Sequence, residues 1–161
     1  MNRHRAKYAV AFLLAVAALL AACGPKNISA NPPTQGGDAY TYCVKAASTT
    51  AIAINKAMPL IDQTRQNGLI STQEETAILG YFKFANDADS AFLTCVQAAH
   101  SGGGVAGAFT ACANTFTASL NNPQELALIH VSNSAGQANV NAIVQGVVAA
   151  VNLIVTNLGG K

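Results

Sequence analysis

The sequence contains no tryptophan, and only 10% of its 161 residues are charged. So sparse a charge excludes the clustered Lys and Arg that nucleic-acid phosphates demand. The chain also lacks a Cys-x-x-Cys pair, G-x-S-x-G, H-E-x-x-H and a phosphate-binding loop. No His stands at ligand spacing from a Cys, so neither a metal site nor a cofactor is expected. Asn86-Asp87-Ala88-Asp89-Ser90 begins like a calcium loop but has no central glycine or closing glutamate. Few acid–base groups are present, and no Ser-His-Asp grouping is recognisable, so the chain is not expected to be an enzyme.

Half of the chain is apolar, 51%, which is too much for a disordered protein and enough for one domain with a sizeable core. Its surface must then be covered mainly by Asn, Gln, Ser, Thr and Ala.

The cations are unevenly placed. Arg3, Arg5 and Lys7 precede an unbroken apolar run from Tyr8 to Leu20, which small residues follow. A positive start, a short apolar stretch and a small-residue exit describe a secretory signal. As a helix this run spans about 20 Å, less than the roughly 30 Å of a bilayer core, which argues against a permanent span. Without residues 1–22, six Lys and Arg face seven Asp and Glu, a net charge of −1.

The segment Leu20-Ala21-Ala22-Cys23-Gly24 resembles the lipobox of bacterial lipoprotein precursors. The resemblance covers the leader alone. It implies cleavage before Cys23 after the thiol has received a diacylglyceryl group, and a membrane anchor made of acyl chains, each buried CH₂ adding ~0.8 kcal/mol. Ordinary signal cleavage after Ala22 wants small residues at −1 and −3, and Leu20 at −3 argues against it. In enteric-type bacteria an Asp at +2 retains lipoproteins at the inner membrane. Gly24 there implies the outer membrane where the host has two, and otherwise the outer face of the cell membrane.

Gly24 to Gly37, with Pro25, Pro32, Pro33, Gly36 and Gly37, shows no apolar period and reads as a tether. A flexible chain of that length reaches about 20 Å on average. The organisation expected is therefore a signal peptide over 1–22, a lipidated terminus and tether over 23–37, and a folded domain over 38–158.

From Asp38 onward apolar residues recur at helical spacing. The first helix is expected from about Asp38 to Asn67, with Tyr40, Cys43, Ala47, Ile54, Met58 and Ile61 inward, a kink at Pro59 and an end at Asn67-Gly68. Ser71 with Glu74, or Thr72 with Glu75, makes a capping box for the second. Its stripe is Ile78, Phe82, Ala85, Phe92, Val96 and Ala99, and Gly102-Gly103-Gly104 stops it. A short third helix lines up Val105, Phe109, Cys112, Phe116 and Leu120. Asn122-Pro123 with Glu125 opens a fourth, expected to run without interruption to Leu158. Its polar residues His130, Ser134, Gln137, Asn141, Gln145, Asn152 and Thr156 fall within about 100° of one another on a helical wheel, which a strand would not do. Four such helices on short turns predict an all-α, up-down-up-down four-helix bundle. Ile143 to Leu158 is apolar nearly all round, which suits a central core helix, an envelope-protein partner, self-association or a membrane surface.

With Cys23 lipidated, Cys43, Cys95 and Cys112 remain in an oxidising compartment. Cys95 and Cys112 lie almost equally far from the turn near residue 103 and should meet as a disulfide. Cys43 is then spare, or the alternative partner of Cys95.

His130 is expected to be solvated, and His100 to complement the end of the second helix. Asp89 is less ordinary, a carboxylate on the apolar stripe of that helix; it must find donors or take up a proton. Asn139 shows a similar conflict on the fourth helix. Together they either fix helix register or line a small polar pocket with a Tyr hydroxyl. The expected function is a membrane-anchored, non-catalytic cell-envelope interaction or structural protein. The alternative is a small-ligand-binding bundle with its pocket near Asp89 and Asn139.

Overall fold

The structure, a computed structural model, describes residues 36–157. The leader, Cys23, most of the tether and residues 158–161 lie outside the described residues. The described part is all-α: α1 Gly36–Gln66, α2 Thr72–Ser101, α3 Ala106–Leu120, a short α4 Pro123–Ala127, and α5 Ser134–Asn157.

The helix ends follow the local chemistry. Gly68, at φ +70°, lets the Leu69 N–H turn back onto the Thr64 carbonyl at 3.1 Å and close α1. Ser71 and Glu74 form the reciprocal capping box of α2. The rival pair, Thr72 with Glu75, does not form; Glu75 is instead 2.7 Å from the Arg65 guanidinium across the α1–α2 turn. The α1 helix continues through Pro59, and the Asn55 carbonyl that Pro59 cannot serve belongs to an exposed residue.

α1 packs on α2, α2 on α3, α3 on α5 and α5 on α1, closing a ring of antiparallel neighbours in which α2 and α5 are diagonal. Cross-links fix the heights. Tyr40 stacks on His100 at 4.1 Å at one end of the α1–α2 pair, and Arg65 meets Glu75 at the other. Cys95 is bonded to Cys112 with Cα atoms 5.8 Å apart, and Phe92 stacks on Phe116 at 5.0 Å. Ile54, Ile61, Ile78, Phe82, Phe109, Leu120, Val140 and Val151 fill the centre.

Three expectations need correction. The fourth helix is not continuous: residues 128–133 leave the helix between α4 and α5 and form a strap across the bottom of the bundle. The strap satisfies its backbone from side chains. The Val131 N–H donates to Gln137 Oε1 at 2.7 Å, and Gln137 Nε2 donates to the Ile129 carbonyl at 3.3 Å. Asn133 Oδ1 accepts from the N–H groups of Ala135 and Gly136 and so starts α5. Ser and Asn offer the backbone these alternatives to a helix, and Ile129 and Val131 are buried only because the strap turns inward. His130 therefore lies exposed on the strap, not on a helical stripe.

Met58 is 37% exposed, and the inward place beside it belongs to Ala57. Val105 is 67% exposed, because it precedes α3 and sits in the turn.

The apolar stretch of α5 is accounted for as far as it is described. Ile143, Val144, Val147, Val148 and Val151 are all buried within the bundle. No helix among the described residues is long and apolar enough to cross a membrane.

Candidate functional site

Asp89 is the one charged residue buried among the described residues, at 4% exposure. Its position follows from helical geometry: four residues after Ala85 and three before Phe92, both of which face the core. No hydrogen-bond partner reaches Oδ1. Burial pushes its carboxyl up to about 6, because an ionised oxygen there exchanges water for apolar neighbours.

Register identifies what it faces. Eleven residues separate Asp89 from His100, and eleven beyond the stacked Tyr40 is Ala51; fourteen separate it from Glu75, and fourteen before Arg65 is again Ala51. The buried polar side chain at that height of α1 is Thr50, whose hydroxyl already donates to the Ala46 carbonyl at 3.1 Å. Thr117 on α3 has a buried hydroxyl oxygen without a partner. It lies about 100° around the helix from Phe116 and about 140° from Cys112, the residues that meet α2.

The other residues of the expected pocket stand elsewhere. Asn139 is half-buried on α5, the helix diagonal to α2, and near the strap end of the bundle. Among tyrosines, Tyr81 is buried but its hydroxyl donates to the Leu120 carbonyl at 3.1 Å, two turns from Asp89. Burial pushes that phenol up to about 12. Asp89 and Asn139 are therefore not brought together.

The cysteines divide in the same way. Cys95 and Cys112 form the disulfide, with Cys112 buried and Cys95 on the outside of α2. Cys43 keeps a free thiol inside the core, and burial pushes it up to about 11, so little thiolate is available for chemistry. Among the described residues no three of His, Cys, Asp and Glu converge closely enough to hold a metal ion.

One polar cluster had only half a signal in the sequence. Glu74 caps α2, as the Ser-x-x-Glu spacing indicates. Its second oxygen, Oε1, accepts from the N–H and the hydroxyl of Ser132, 58 residues on, each at 2.7 Å. Its first, Oε2, accepts from the N–H and hydroxyl of Ser71 at 2.6 and 2.8 Å. The Ser132 backbone bond contributes most, then the Ser71 backbone bond, then the hydroxyls of Ser132 and Ser71, and together they pull the carboxyl down to about 2. This cluster holds the strap rather than a reacting group.

Charge is also sorted between the faces. Lys45, Lys56, Asp62, Arg65, Glu74, Glu75, Lys83 and Asp87 all stand on α1 and α2, whereas α3 and α5 carry no charged residue over their described lengths. The outward positions of α3 and α5 include Ala111, Asn114, Ala118, Asn141 and Gln145.

No protein-family model, curated protein or solved structure matches the chain.

Proposed function

We propose that this chain is an exported lipoprotein, anchored through acyl chains on Cys23, whose bundle acts by contact with other cell-envelope proteins rather than by catalysis. The observation that carries this reading is the segment Leu20-Ala21-Ala22-Cys23, placed thirteen residues ahead of the first turn of α1. Such a spacing leaves the bundle free to stand off a bilayer while remaining fastened to it.

The uncharged outer face of α3 and α5 supports the contact role. Cores of protein interfaces are depleted of charge, because each charge buried there must be desolvated. The apolar stretch of α5 through residue 151 is spent on the bundle's own core, so the docking surface is assigned to the polar, outward side instead.

Intact-mass analysis of protein recovered from its native envelope tests the anchor. An N-terminus at Cys23 with added acyl mass is expected, and a Cys23→Ala variant should leave the membrane fraction. A product that starts elsewhere or lacks acyl mass overturns it. For the contact role, the double variant Asn141→Glu and Gln145→Glu should abolish in-cell cross-links to envelope proteins while circular dichroism stays unchanged.

A second reading, binding of a small polar ligand at Asp89, is favoured by the unpartnered Oδ1. It proceeds without Asn139. Asp89→Ala, compared with wild type in a screen of envelope extracts, tests it.

A further inference from the structure

We propose that Asp89 works as a proton-operated latch: the bundle closes around the neutral acid, and loss of the proton loosens α2 from its neighbours α1 and α3.

The geometry offers Asp89 Oδ1 no partner. On α1, Lys45 and Lys56 are exposed and lie on the side opposite the inward-facing Cys43, Thr50 and Ile54; Asp62 and Arg65 are at the strap end with Glu75. Tyr40 is at the other end, stacked on His100, and the Cys43 thiol stays protonated. α3 has no titratable group apart from the disulfide-bonded Cys112, and the described length of α5 has none. On α2 itself Lys83 pairs with Asp87 on the exposed side, at 3.4 Å. Thr50, the polar side chain at the height of Asp89, has already committed its proton to Ala46. Neither Lys45 nor Lys56 therefore faces the ionised form and Thr50 has no proton left to give it, whereas the neutral acid brings its own proton.

The sign of the linkage follows. A folded-state carboxyl held at about 6, against an ordinary 3.8, binds its proton more tightly than the unfolded chain does. The stabilisation from a neutral Asp89 is complete below about 3.8 and is lost as pH rises through about 6. Above that point the bundle carries a buried, unpaired charge, and separation of α2 from α1 at the Thr50 level relieves it by admitting water.

The test compares purified wild-type protein with Asp89→Asn by urea unfolding and by amide hydrogen exchange at about pH 4.5 and about pH 7.5. Groups other than Asp89 are common to both proteins and cancel. The wild-type urea midpoint should fall across this interval relative to the variant, and exchange of the amides around Phe92, corrected for intrinsic rates, should rise about tenfold or more. Carboxyl ¹³C shifts in the wild type provide a second measurement that does not depend on the variant folding, with the Asp89 midpoint expected well above those of the exposed carboxylates. An Asp89 resonance that titrates together with them, or parallel pH profiles of the two proteins, overturns the latch.

Discussion

Glu74 Oε1 takes both the N–H and the hydroxyl of Ser132 at 2.7 Å, so the residue that caps α2 also fastens the strap that leads into α5. One carboxylate thereby closes a loop of 58 residues, and does so at the surface, where its contribution depends on ionisation.

The first prediction concerns acid. Glu74 is held down to about 2 from 4.5, so its stabilisation is fully present above 4.5 and is lost as pH falls through 2. Glu74→Gln keeps the shape but not the charge. It should lower the thermal midpoint at neutral pH and flatten the acid limb of the wild-type profile, as read by circular dichroism. Asp89 acts with the opposite sign, so the wild-type bundle should be most stable near pH 4 to 5, between the two transitions. An unchanged acid limb in Glu74→Gln would show that the strap is held by other means.

The second concerns the disulfide. Joining Cys95 to Cys112, 17 residues apart, restrains the unfolded chain by about 3 kcal/mol in the loop-entropy model. Replacing both with Ser should lower the urea midpoint accordingly. In the native wild type Cys43 should resist a thiol reagent until urea unfolds the core, because it is buried and protonated. In a Cys23→Ala background, labelling of a single thiol per unfolded chain, located at Cys43 by peptide mapping, supports the pairing; labelling of three refutes it.

The third concerns close packing. A Cβ on Gly136 would run into the Leu69 carbonyl and press on the Val131 side chain. Backbone cannot swing aside as a flexible side chain does, so Gly136→Ala should cost about 1–3 kcal/mol although it improves helix propensity. Urea unfolding reads the loss, and a neutral or stabilising result would mean that α5 does not approach the α1–α2 turn this closely.

Local chemistry made much of this legible. The Ser71–Glu74 spacing marks the start of α2, the two arms around residue 103 bring Cys95 to Cys112, and the wheel position of Asp89 announces a carboxylate in the core. The strap was hidden for a physical reason. Residues 128–133 keep a helical pattern of side chains, yet their backbone bonds to Gln137, Asn133 and Glu74, partners set by the tertiary fold. Sequence spacing could place Asp89 and Asn139 each on an inward face, but not on diagonal helices, since that depends on how the ring closes. Period alone cannot choose between Met58 and its neighbour Ala57, about 100° apart around the helix, and it is Ala57 that is buried.

The up-down-up-down order puts the start of α1 and the last described turn of α5 at one end, beside the 102–105 turn and the Cys95–Cys112 bond. A pull between the two chain ends would therefore peel helices apart from that end instead of sliding them past one another. The covalent bond between α2 and α3 lies off this load path, so the mechanical weak seam is α1 against α5, and the strap, at the far end, would be the last part to feel the tension.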